Sequence, residues 1–122
     1  MPLTTIRVLL VEDEIMIRMM VADMVEQLGH AVAAEAGDVG RATELAQTGL
    51  FDLAILDVNL NGKMSFPAAD ILVERRIPLI FASGYSAASF PAAFRSTPRL
   101  QKPFQIEALA RAIAAAREAV HR

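Results

Sequence analysis

A doubly wound α/β sandwich on a parallel sheet is the fold this 122-residue sequence predicts, and two observations carry the prediction. Short, nearly continuous apolar runs alternate with stretches of helical periodicity, in five repeats of about 20 to 25 residues. The runs themselves do not alternate apolar with polar, as expected of strands covered on both faces by helices. The first, Ile6 to Val11, reads as such a strand. Ile17, Val21, Met24 and Leu28 then recur at steps of four, three and four, which is an amphipathic helix that Gly29 ends. Val32 to Ala36 is a weaker second strand, and a short helix from Val39 to Gln47 follows, N-capped by Asp38 with Gly49 past its end.

Phe51 to Asp57 is the third strand and terminates in a carboxylate. Pro67 to Arg76 is predicted helical, with the proline in its first turn. Leu79 to Ala82 is the fourth strand, opened by Pro78 and closed by Ser83-Gly84. From Tyr85 to Pro98 the chain is rich in Ala and Ser and interrupted by Pro91, so any helix there is short or frayed. A short fifth strand spans Arg99 to Lys102. The last helix carries Ile106, Leu109, Ile113, Ala116 and Val120 on one stripe. Residues 1–122 are expected to form one domain, with no linker, internal repeat or low-complexity tract.

Composition narrows the function. A chain 54% hydrophobic and 21% charged is globular, and no run approaches the roughly 20 apolar residues of a membrane span. Acids at Glu12, Asp13 and Glu14 break the N-terminal apolar run, unlike a signal peptide, so a cytoplasmic location is expected. The absence of cysteine excludes thiolate nucleophiles and Cys-ligated zinc. A net charge of −2 argues against nucleic acid as a partner.

In an open parallel sheet, functional residues collect at the carboxyl ends of the strands. Those ends carry Glu12 and Asp13, Asp57, Ser83 and Lys102. Three carboxylates on one rim repel one another unless a cation neutralises them, and oxygen donors without His or Cys suit a hard ion such as Mg²⁺. A lysine beside that ion is a point charge for a phosphoryl oxygen. Such a rim points to Mg²⁺-assisted phosphoryl chemistry.

Val11-Glu12-Asp13-Glu14, Ile55-Leu56-Asp57-Val58-Asn59, Ala82-Ser83-Gly84 and Lys102-Pro103-Phe104 resemble, in order and spacing, the motifs of the receiver domain of two-component response regulators. The resemblance covers essentially the whole chain and implies a flavodoxin-like sheet of strand order 2-1-3-4-5. Phe81-Ala82-Ser83-Gly84-Tyr85 looks more narrowly like the subfamily with a Phe-Ala-Thr-Gly-Tyr signature, Ser replacing Thr. By this resemblance Asp57 is the phosphoacceptor, served by the phosphohistidine of a sensor histidine kinase or phosphotransfer protein. Asp13 and Asp57 ligate Mg²⁺ through carboxylates, Asn59 through its main-chain carbonyl, and Glu12 through water. Ser83 and Lys102 hold the phosphoryl oxygens, and the Lys102–Pro103 peptide is cis. Output passes to a downstream protein by contact, and the chain is not a turnover enzyme.

The alternative is a phosphorylation-independent interaction module of receiver fold, against which the intact Asp13, Asp57, Ser83 and Lys102 set counts. A hydrolase of the haloacid dehalogenase type is disfavoured because Asp57-Val58-Asn59 lacks the second acid. Single residues also have plainer readings: Asp57 as a turn cap, Glu12 and Asp13 as charges at a helix N-terminus, Ser83-Gly84 as a loop start. One departure from the family stands out. Arg99 occupies the place of the usual aromatic three residues before the lysine, which makes Tyr85 a candidate for part of the signalling role. Met16 and Met20 lie off the apolar stripe of the first helix, where they either fill the core or form an adaptable docking face.

Overall fold

The computed structural model describes residues 5–84 and 90–120. Five parallel strands form the main sheet: β1 (Arg7–Val11), β2 (Ala31–Ala36), β3 (Leu53–Asp57), β6 (Leu79–Ser83) and β7 (Arg99–Gln101), in the order β2-β1-β3-β6-β7. Counted within that sheet the order is 2-1-3-4-5, as the family resemblance implies. Two further strands, β4 (Asn59–Leu60) and β5 (Lys63–Met64), make a small antiparallel hairpin just past the end of β3. Four α-helices are seen among the described residues: α1 (Ile15–Gln27), α2 (Val39–Thr48), α3 (Phe66–Glu74) and α4 (Ile106–Val120).

Successive strand residues point to opposite faces, so the apolar runs supply two cores. On one face Leu9, Val11, Ala54, Leu56, Leu79 and Phe81 meet Ala42 and Ala46 of α2 and Ala68, Ala69 and Leu72 of α3. On the other face Val8, Leu10, Leu53, Ile55 and Ile80 meet Val21 and Val25 of α1 and Leu109, Ile113 and Ala116 of α4. The small alanines of α2 and α3 let those helices pack side by side, and Arg75 Nη1 donates to the Ala46 carbonyl at 2.6 Å, closing an orphan carbonyl at the end of α2.

Helix ends follow the local chemistry. Asp38 caps α2 by accepting from the Arg41 amide, as its type predicts. After α1, Gly29 takes φ +88° while its amide and that of His30 donate to Glu26 and Val25, a Schellman ending that needs the left-handed residue. The same bonding closes α3, from Arg76 to Val73 and Ile77 to Leu72, but there Arg76 adopts the left-handed conformation at φ +58°.

Two details differ from the sequence reading, the centre of the α1 stripe and an added hairpin. Val25, fully buried, replaces Met24 and Leu28 as the centre of the α1 stripe, with those two only half-buried at its margin. Among its described residues the fourth repeat carries a single 3-10 turn, Ala92–Phe94, in keeping with the expectation of a short helix there. Its anchors are Phe90 and Phe94, which pack with Phe66 and Phe81 at centroid distances of 5.1 to 5.8 Å, so burial of rings outweighs helix propensity there. The β4–β5 hairpin was not predicted. Tyr85 lies outside the described residues.

Candidate functional site

β1 and β3 are neighbours in register, so their last residues deliver acids to one rim. Glu12 leaves β1 with its amide donating to the Ala36 carbonyl at 3.0 Å, and the residue is buried to 3% exposure. Asp57 ends β3, also buried, and Asp13 is half-buried beside them. One carboxylate oxygen from each of these three acids lies within 4.8 Å of the others.

Lys102 reaches this cluster from the far side of the sheet. The backbone places it there, because its amide donates to the Ser83 carbonyl at 3.1 Å and carries the β6–β7 pairing one residue further. Its Nζ donates to Glu12 Oε1 and, at 2.9 Å, to Asp57 Oδ2. The ammonium therefore sits between two buried acids. The Lys102–Pro103 peptide is cis. Ser83, at the end of β6, is buried on the same rim.

Electrostatics match this placement. Burial pushes the Glu12 carboxyl above its ordinary value and the charge of Asp57 adds to it, while the hydrogen bond from Lys102 opposes both. Burial by itself would lower the Lys102 ammonium. The hydrogen bonds to Glu12 and Asp57, and their charges, outweigh burial and hold it above the ordinary lysine value. Lys102 thus stays charged in a setting where a second carboxylate is costly without a cation.

Outer contacts orient the acids. Glu12 Oε2 accepts from the Glu14 amide at 3.1 Å, and Asp57 Oδ1 from the Asn59 amide at 3.3 Å. Asp13 Oδ2 accepts from the Asn61 amide at 3.0 Å. Arg18 donates to the Glu12 carbonyl at 3.1 Å and pairs with Glu35 at 3.1 Å, lying so close over Gly37 that a Cβ there would meet its guanidinium at 2.9 Å. The residues singled out from sequence, Glu12, Asp13, Asp57, Asn59, Ser83 and Lys102, all fall at this rim. Arg18 and Asn61 were missed. The Asn61-Gly62 dipeptide between Leu60 and Lys63 is a turn signal that would have found the second.

An all-oxygen cluster of three acids, only partly offset by one protein ammonium, has the donor chemistry of a hard divalent cation site. Fold and rim together define a flavodoxin-like α/β domain that gathers acids and a lysine at the carboxyl edge of its sheet. Comparison with known proteins places it further. The chain belongs to the response regulator receiver domain family, whose pattern residues 8–114 match. Among curated proteins it is 36% identical over 111 residues to the transcriptional regulatory protein PdtaR of Mycobacterium tuberculosis, covering 88% of this chain and 54% of that protein. It therefore spans about half the length of the curated relatives it matches.

Among solved structures, SdrG from Sphingomonas melonis Fr1 is 42% identical with a TM-score of 0.82, covering 92% of this chain and 96% of that one. The BeF3-activated conformation of SdrG from Pseudomonas melonis Fr1 matches at 41% identity and a TM-score of 0.77, over 91% of this chain and 95% of that one. The REC domain of the PhyR response regulator of Erythrobacter litoralis is 31% identical with a TM-score of 0.79, covering 92% and 89% of the two chains.

Proposed function

We propose that residues 1–122 act as one receiver unit that takes a phosphoryl group onto Asp57 from the phosphohistidine of a sensor histidine kinase or phosphotransfer protein. The observation that carries this reading is the Lys102 ammonium held between Asp57 and Glu12, with Asp13 alongside, at the end of β3. Mg²⁺ would be held by the Asp13 and Asp57 carboxylates and the Asn59 main-chain carbonyl, with Glu12 acting through water. When bound, the ion neutralises charge on the acids and on the incoming phosphoryl group.

In the transfer an Asp57 carboxylate oxygen forms the new bond to phosphorus, the bond from phosphorus to the histidine nitrogen breaks, and the imidazole keeps the electron pair. Ser83 donates its hydroxyl to one phosphoryl oxygen and Lys102 pairs with another, so the protein supplies position and charge rather than covalent chemistry. The added charge of roughly −1.5 to −2 biases the structure beyond β6, and the signal leaves by protein contact in the cytoplasm. The run Phe81 to Tyr85 supports membership in the subfamily with a Phe-Ala-Thr-Gly-Tyr signature.

Incubation with acetyl phosphate and Mg²⁺, read by intact mass, tests the proposal. One phosphoryl adduct is expected in the wild type, dependent on Mg²⁺ and absent from Asp57→Asn. Failure to gain an adduct, together with failure to bind beryllofluoride, would leave the phosphorylation-independent interaction module as the function.

A further inference from the structure

The β4–β5 hairpin is a two-residue turn in which both central residues, Asn61 at φ +53° and Gly62 at φ +88°, are left-handed. This is the type I′ geometry that Asn-Gly favours. The turn is anchored at both ends. Leu60 is buried in the core at its start, and the Ser65 amide donates to the Val58 carbonyl at 2.8 Å at its finish. Inside it, the Gly62 amide donates to Asn59 Oδ1 at 2.7 Å. The conformation leaves one amide aimed out of the hairpin, that of Asn61, and it lands on Asp13 Oδ2 at 3.0 Å across 48 positions of sequence.

Asp13 thereby has a rotation set by a loop that β3 carries. We infer that Asn61 is a positioning residue for Asp13: the left-handed turn presents its main-chain N–H to the carboxylate, holds that group in the acidic cluster, and so sets the affinity of the rim for Mg²⁺. The inference rests on the reading of that cluster as the Mg²⁺ site of the phosphoacceptor. Outer contacts of this kind typically change metal affinity on the order of 10- to 100-fold when lost. The donor is backbone, so what matters at position 61 is the ability to hold positive φ, and the amide function of the side chain is dispensable.

The experiment is calorimetric titration of the full chain with MgCl₂, in wild type, Asn61→Gly and Asn61→Val. A β-branched residue resists the left-handed region, whereas glycine enters it freely. Asn61→Gly should bind Mg²⁺ as the wild type does. Asn61→Val should bind about tenfold or more weakly, yet reach the wild-type rate of acetyl phosphate labelling once Mg²⁺ is saturating. Should Asn61→Val not fold, Asn61→Ala provides the milder perturbation and Gly62→Ala a second, since a Cβ at Gly62 meets nothing within 4 Å and alters φ preference alone. A purely structural turn would lower the melting temperature and leave Mg²⁺ affinity untouched, and that result overturns the inference. Wild-type protein that binds no Mg²⁺ would instead remove the phosphoacceptor reading and the inference with it.

Discussion

Replacing Lys102 by methionine strands two acids. The side chains of Glu12 and Asp57 are 4% and 12% exposed, and that of the Lys102 they share is 22% exposed. Methionine keeps the length and the apolar stem while removing the charge, so the loss is electrostatic rather than a cavity. Stranding a buried charge costs about 3–5 kcal/mol, and the low end, ~3 kcal/mol, applies here because the rim opens to water on the side of Asp13. For a chain of this size that is a fall of roughly 10 °C in melting temperature. Circular dichroism melts at neutral pH in chelator provide the measurement.

Added Mg²⁺ should recover part of the loss, because a cation binding only the native state at tenfold excess over its Kd contributes about 1.4 kcal/mol. The gain should exceed that of the wild type, whose ammonium already offsets part of the acids' charge. A Lys102→Met variant that melts at the wild-type temperature in chelator, or gains no more from Mg²⁺ than the wild type, would refute the reasoning.

Other outcomes follow from residues away from the cluster. His30 Nδ1 accepts from the Ile6 amide at 3.2 Å, and burial, with Arg117 adding, holds the imidazole below its ordinary value of 6.5. Between that lowered value and 6.5 the unfolded chain binds more protons, so stability falls as the pH drops through the window; melts from about pH 7 to about pH 5 should decline less steeply in His30→Gln. Arg76→Gly relieves the left-handed position after α3 and should stabilise by ~0.5–1 kcal/mol, seen as a raised urea midpoint with unchanged slope. Met16 and Met20 are 77% and 46% exposed on α1. Their double replacement by alanine should leave the melting temperature within ~0.5 kcal/mol equivalent. On the proposed function, phosphotransfer from a sensor histidine kinase should slow about tenfold while labelling by acetyl phosphate is unchanged.

Much of this molecule was legible in the sequence because its sheet is buried on both faces. Runs such as Leu53 to Asp57 read as covered strands, and once the sheet is parallel the acids that end them share one rim. The helical stripes were legible in outline, but the four-step line through Ile17, Val21, Met24 and Leu28 misjudged which residue centres on the core. Val25 does so, because methionines on both sides of the stripe blur its edges. The segment before β7 follows tertiary packing, with Phe90 and Phe94 inserted against Phe66 and Phe81, and local propensity carries no trace of that. At the rim the side chains were legible and their partners were not. That Lys102 would rest on Glu12 as well as Asp57, and that an amide from a hairpin would hold Asp13, depends on contacts 90 and 48 residues apart. Arg99 replaces the expected aromatic with a guanidinium 5.6 Å from the Phe90 ring and a hydrogen bond to the Arg95 carbonyl at 3.0 Å, so it ties β7 to the 3-10 turn by a different chemistry.

All of the sulfur in this chain is thioether, six methionines and no cysteine. Among the described residues none of the fully buried core positions is methionine, whereas Met16, Met19 and Met20 lie open on the helix that starts beside the acidic rim. Peroxide converts such groups to sulfoxides, turning a pliable apolar face polar and chiral. Oxidation would therefore fall on the outward face of α1 and on Met64 of the β4–β5 hairpin, altering what those surfaces can grip while leaving the buried apolar positions of the sheet untouched.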